Sequence, residues 1–367
     1  MDFILSRSDL LKNLQAVKNV IGTKNTNPIL DNFLFDFTGD TLQVLGSDGE
    51  TVMKASIPLE TEETGAYIIP SDKLVNTLKN LPEQPLSFSI KDHTLHITAE
   101  NGNYTLSCIP GDEFPRPSEP EEPFVREIDS GVLSEGIHKT IFAVGNDEMR
   151  PMLNGILFHF TADKTNLVAT DAHKLSRFTV KNIHSDEELE FIVPKKPMQI
   201  LRNVLDGEIP VKMAFSQKMA TFSFENTDIT TTLISGKFPQ YNQVIPKDNP
   251  FTMIVNREQF LNALRRASLY ASKATNLVII NLKGSVMSIR ARSEETSSEA
   301  VENLTVNYQG EDIEIGFNAK NLMEILSTLD GDDVEMSLSM PNRPVLVRPV
   351  EESENEEILM LLMPIAF

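Results

Sequence analysis

The groups able to bind metal, move protons or attack a carbonyl are few and scattered in this chain of 367 residues. The six histidines are His93, His96, His138, His159, His173 and His184, and Cys108 is the single cysteine. His93 and His96 fall on an expected strand or turn, and no Cys pair or further ligand completes a zinc set around them. Asp171 and His173 could imitate a catalytic or metal-binding pair, but an ordinary hydrogen-bonded loop turn uses the same residues. Cys108 has no neighbouring His in sequence and reads as a strand residue. Neither a phosphate-binding P-loop nor the glycine pattern of a dinucleotide site is present. Asp332-Asp333 and the acidic run 351–357 read as solvated loops rather than metal cages. The expectation is a non-catalytic protein with no metal and no cofactor.

The informative chemistry is the placement of cations. Net charge is −20, which by itself argues against contact with phosphates. Hydrophobic periodicity predicts six amphipathic helices near 8–24, 71–81, 133–150, 194–205, 256–273 and 318–329, with stripes such as Leu10, Leu14, Val17, Ile21 and Leu322, Leu326, Leu329. Those windows hold 15 Lys and Arg against seven Asp and Glu, leaving 18 basic and 46 acidic residues elsewhere. One electropositive surface built from helices fits this contrast better than a set of separate solvated faces. The candidates are Lys12, Lys18, Lys24, Lys73, Lys79, Lys139, Arg150, Lys195, Lys196, Arg202, Arg257, Arg265, Arg266, Lys273 and Lys320. No aromatic platform accompanies them and Trp is absent, so duplex contact without base readout is the better fit than single-strand binding.

The elements that must position these helices repeat. A short strand, a polar cap and an amphipathic helix begin at residues 3–11, 126–133 and 251–260, and a second strand–helix unit follows at 66–74, 190–196 and 312–318. The period is roughly 120–125 residues, the size of one domain. Phe114-Pro115 and Phe238-Pro239 close the first two thirds at the same offset. The Pro- and Glu-rich stretch 115–123 and the segment 245–250 read as linkers, giving domains 1–122, 123–248 and 249–367. Between the helices most residues read as strands, with turns at Asn101-Gly102, Gly39-Asp40 and Gly284-Ser285. The fold class is α+β: three tandem repeats, each two helices on antiparallel sheets. No run of about 18 apolar residues and no secretion signal is visible, and one cysteine permits no internal disulfide, so a cytoplasmic protein with no membrane contact is expected.

With those residues in place, the whole chain resembles the β subunit of bacterial DNA polymerase III, the sliding clamp. The resemblance rests on 27–30, 153–158 and 169–175, on 236–241 with Phe238-Pro239, and on Met363-Pro364 at the end. It implies a head-to-tail homodimeric ring of six domains whose helices surround duplex DNA. The DNA-facing candidates are then Lys12, Lys24, Lys73, Lys79, Lys139, Arg150, Lys195, Lys196, Arg202, Arg265 and Arg266. It also implies an apolar cleft that captures short peptides of the clamp loader and of replicative and repair polymerases. The matching positions are Leu153, Thr170, His173, Leu175, Pro239, Val244, Leu361, Met363, Pro364 and Ile365. Tyr104 and Leu106 of one subunit would face Leu269 and Tyr270 of the next. Ala172 stands where a Gly is common, Lys174 where an Arg is frequent and Ala366 where the family has a basic residue. Two other classes remain alongside the clamp: a metal-dependent hydrolase using Asp171 and His173, and a protein-binding scaffold without DNA contact.

Overall fold

The computed structural model describes every residue except Thr23, Lys24, Thr26, Glu62, Glu119 and Glu352. Lys24, one of the expected DNA-facing cations, therefore lies outside the described residues. Six α-helices carry the labels used below: α1 Arg7–Lys18, α2 Ser71–Lys79, α3 Ser130–Ile141, α4 Lys195–Val204, α5 Arg257–Ser268 and α6 Ala319–Thr328. Each third of the chain runs strand, helix, three strands, then strand, helix, three strands, with two-residue and three-residue strands added at Ile109–Pro110 and Asn307–Gln309.

Local chemistry explains where the helices start and stop. The Ser6 hydroxyl accepts from the Asp9 amide at the start of α1, and the Asn256 and Asn318 side chains accept the first amides of α5 and α6. Helix α1 ends at Lys18, six residues before the expected end, because the Asn19 amide side chain donates to the carbonyls of Gln15 and Ala16 and closes the last turn. Helix α3 stops at Ile141 rather than running to 150. Beyond it Gly145 donates to the Leu153 carbonyl at 2.8 Å, and Asp147 and Asn154 bond each other side chain to backbone, which makes 145–154 an organised loop. Helix α5 ends at Ser268, where the hydroxyl donates to the Arg265 carbonyl. The buried stripes are those the periodicity requires: Leu10, Leu11, Leu14 and Val17 in α1, and Phe260, Leu261, Leu264 and Ala267 in α5.

The chain packs into two compact units, Met1–Ser134 with Lys196–Leu233, and Glu135–Lys195 with Ile234–Phe367, so the middle third is shared between them. Among the described residues the first unit holds a four-stranded and a nine-stranded antiparallel sheet, and so does the second. Each nine-stranded sheet joins strands of two different thirds. In the first unit Thr227–Thr232 pairs with Thr51–Pro58, and the Thr51 and Thr231 hydroxyls meet at 3.0 Å in the buried seam. In the second unit Lys174–Val180 pairs with Glu356–Leu362, in the register Leu175 to Leu361.

The two Phe-Pro landmarks have the same structural task. Phe114 packs on Leu34, Leu45, Val52 and Ile68, and Phe238 packs on Leu157, Val168, Leu175 and Ile192. Both rings are buried against their sheets, and full burial of a Phe is worth about 1.5–3 kcal/mol. In the second unit alone the cluster also takes in Leu361, from the last strand of the chain.

Candidate functional site

Several of the residues expected in a cleft come together in the second unit. Leu175 and Leu361 lie side by side across two paired strands, and both belong to one cluster with Phe238 and Tyr241. Met152, Ile234, Ile245, Leu346 and Met363 pack around that cluster while only partly buried. Leu153 is buried in the short helix Pro151–Leu153, next to Met152. Pro239 is exposed beside Phe238, and Val244 is 53% exposed at the cap of the turn Tyr241–Gln243. Sequence reasoning does not single out Met152, Leu157, Val168, Ile192 or Tyr241 as cleft residues. The Phe238-Pro239 landmark, whose ring packs among them, is the signal that points to them.

The end of the chain is tied down. Glu356–Leu362 is a strand between two others, the Met363 amide donates to the His173 carbonyl at 2.8 Å, and the Ile365 amide donates to the Gly316 carbonyl at 2.8 Å. Pro364 between them has no amide to place, so the tail is held at alternate residues.

Asp171 and His173 do not form a catalytic pair. One Asp171 carboxylate oxygen accepts the backbone amides of His173 and Lys174, each at 2.9 Å, and the other accepts from the Lys174 ammonium at 2.8 Å. Burial would raise this carboxyl, but the hydrogen bonds from the Lys174 side chain and the two backbone amides outweigh it and hold the pKa below the ordinary value. Lys174 is buried and also reaches Glu324 of α6 at 3.1 Å. Burial would lower its pKa, and the two carboxylates raise it above the ordinary range. The Thr170 hydroxyl donates to the Lys174 carbonyl and accepts the Ala172 amide, and Ala172 sits at φ +74° inside this turn. His173 is exposed at its tip.

The cations divide into two groups. Lys12, Lys73, Lys79 and Arg202 are exposed on helices, Lys195 is half-buried, and none of these five has an ion pair among the described residues. Arg265 is exposed, and its guanidinium donates to the Asn262 side-chain oxygen of its own helix. The others are engaged. Lys196 donates to Asp48 and to the Val20 carbonyl, Arg266 makes a two-pronged pair with Glu302, and Arg150 pairs with Asp147 in the loop after α3 rather than on a helix. Lys139 departs furthest from expectation: it is 3% exposed and bonded to Glu135, Asp330 and the Thr328 carbonyl, so its ammonium does not reach solvent. With the observed boundaries the helices hold 13 Lys and Arg against five Asp and Glu, and the remainder holds 20 against 48.

Tyr104 is 37% exposed on Gly102–Ser107, the outermost strand of its sheet, whereas Leu106 beside it is almost buried. Leu269 and Tyr270, at the end of α5, are 81% and 44% exposed. Cys108 is buried with its thiol pKa pushed up by that burial, which keeps it an unreactive thiol. Among the described residues no helix is long and apolar enough to cross a membrane.

Tandem strand–helix repeats with net cationic helices, and an apolar cluster that takes in the chain's last strand, are the architecture of a clamp-type binding protein. Family models agree over nearly the whole chain: residues 1–118 match the N-terminal domain, 127–240 the central domain and 242–365 the C-terminal domain of the DNA polymerase III beta subunit. The chain belongs to that family. It is 30% identical over 373 residues to the beta sliding clamp of Pseudomonas aeruginosa, covering 99% of each chain. A crystal structure of the Pseudomonas aeruginosa polymerase sliding clamp with a ligand superposes with a TM-score of 0.96 at 28% identity, covering all of both chains. Another structure from that organism, bound to griselimycin, superposes with a TM-score of 0.94 at 28% identity over the same full coverage.

Proposed function

We propose that this chain is a processivity clamp: two copies close head to tail into a ring around duplex DNA and hold polymerases there through a short-peptide cleft. The observation that carries the reading is the segregation of charge, with helices of net positive charge in a chain of net charge −20. A ring retained by topology needs only a modest positive lining, and an acidic remainder limits adhesion to nucleic acid elsewhere. Three clamp domains, 1–122, 123–248 and 249–367, make up each copy. Lys12, Lys73, Lys79, Lys195, Arg202 and Arg265 are the cations positioned for phosphate, with Lys196, Arg266 and Arg150 available once their ion pairs yield. Lys139 is left out because it is buried and paired.

The cleft takes one extended segment, whose apolar anchors fill the hollow between Leu175, Leu361, Met363, Pro239 and Val244. Met152 and Met363 at its rim suit several partners, since thioether side chains adapt their shape. The segments come from the clamp loader and from replicative and repair polymerases. Three repeats with unlike ends support a heterologous contact that closes, with exposed Leu269 and Tyr270 of one copy meeting Tyr104 and the edge strand of the next. Such a protein works in the cytoplasm. The deciding experiment loads the protein onto nicked circular DNA and onto the same DNA linearised. Retention on the circle with loss from open ends is expected, and equal retention on both removes the ring.

A further inference from the structure

We propose that His159, Glu188 and Glu190 form a binding site for one first-row divalent cation, with Zn2+ as the natural probe. His159 lies on the strand Gly155–Phe160, directly opposite Glu190 of Leu189–Pro194, so both side chains leave the same face of the sheet. Glu188, just before that second strand, brings a carboxylate oxygen to 2.8 Å from His159 Nε2. One ligand atom from each of the three residues lies within 4.8 Å of the other two. Bond lengths of about 2.0–2.2 Å around tetrahedral zinc require donors about 3.4 Å apart. Both glutamates are exposed and can make that adjustment by side-chain rotation, while His159, 4% exposed, stays fixed.

The other side of the imidazole is already arranged as a ligand's second partner. His159 Nδ1 is 2.7 Å from the Tyr241 hydroxyl, and the two rings meet nearly edge to face. With metal on Nε2, Nδ1 carries the proton and donates to the phenol oxygen, which fixes tautomer and ring plane. The cation facing that phenol, Arg177, is paired with Glu357 at 2.7 Å and so is not a competitor for the two glutamates. One imidazole and two carboxylates neutralise a divalent ion and leave a position for water. The nitrogen donor favours zinc and its neighbours over magnesium or calcium.

The test is Zn2+ binding to the full-length chain by calorimetry, in a background of millimolar Mg2+. One saturable site per chain is expected. Glu188→Gln combined with Glu190→Gln should weaken it at least about 100-fold, and Tyr241→Phe, which keeps the ring in the cleft floor, about 10- to 100-fold. His159→Gln removes a buried side chain and could disturb folding, so the exposed glutamate pair is the deciding variant. Absence of saturable binding, or a stoichiometric site that survives the double glutamate substitution, overturns the proposal. Unchanged affinity in Tyr241→Phe overturns the role given to the phenol.

Discussion

Replacing Lys174 with Met isolates the ion pair that holds the cleft turn. Met keeps most of the aliphatic stem and deletes an ammonium whose side chain is 8% exposed, 2.8 Å from Asp171 and 3.1 Å from Glu324. Breaking a buried pair costs about 3–5 kcal/mol when the abandoned charge has no other partner. Asp171 keeps two backbone amides, and Glu324 is half exposed and returns to water, so about 2–3 kcal/mol is the expected cost. A chain of several domains does not unfold in one step, so the cost is best read locally, as hydrogen exchange of the Lys174 and Met363 amides. Both should exchange about 30- to 150-fold faster in Lys174→Met at neutral pH. The pH dependence follows from the directions of the two shifts. Asp171 is depressed below its ordinary 3.8, so its contribution is present above that value and fades as pH falls through the lower folded value. Lys174 is raised above its ordinary 10.5, so its contribution is complete below that value and fades as pH rises through the higher folded value. The gap between the two proteins should therefore be full between these limits and shrink in acid. An exchange difference under about threefold at neutral pH, or one undiminished in acid, would refute the argument.

Ala172→Gly should stabilise the same turn by about 0.5–1 kcal/mol, since φ +74° strains a residue with a Cβ; slower exchange of the His173 amide is the readout. Gly316→Ala should loosen the tail at Ile365, because the new Cβ would lie 2.6 Å from the Ile365 carbonyl oxygen and 2.7 Å from the Phe367 ring. A peptide from a polymerase partner should bind this variant more weakly while sedimentation still shows a dimer. Leu269→Asp puts a charge on an 81% exposed apolar side chain, so the isolated subunit should keep its fold and the dimer should dissociate at concentrations where the parent does not; sedimentation checks both. Charge reversal of Lys195, Arg202 and Arg265 should lower the slope of log affinity for duplex DNA against log salt by about one unit for each phosphate no longer neutralised, and titration at several salt concentrations measures it.

Much of this protein is legible in its residues. Helical periodicity, caps and turn glycines are local signals, and they locate the six helices and the hairpins at 39–40 and 284–285, while the hairpin expected at Asn101-Gly102 turns one residue earlier, at Glu100-Asn101, because Gly102 already belongs to the returning strand. Repetition at one-domain spacing and the segregation of charge are properties of the chain, and both survive in the structure. Helix ends depart from the periodicity where a side chain closes the last turn early, as Asn19 does for α1. What the chain alone could not decide is partnership across long distances. Formal charge makes Lys139 look like Lys12, yet Asp330 and Glu135 surround one while water surrounds the other. Leu106 and Tyr104 are two residues apart on one strand, and packing buries the first more than the second. Strand pairing makes the largest difference. Residues 174–180 meet 356–362, and 51–55 meet 227–231, pairings that no local periodicity encodes because backbone hydrogen bonding is indifferent to separation in sequence. That pairing puts the chain's final strand beside Leu175 and brings Leu361 into the same apolar cluster. Folding of the neighbouring segments likewise brings His159, Glu188 and Glu190 to one point, a convergence that exists only once the strands are in register.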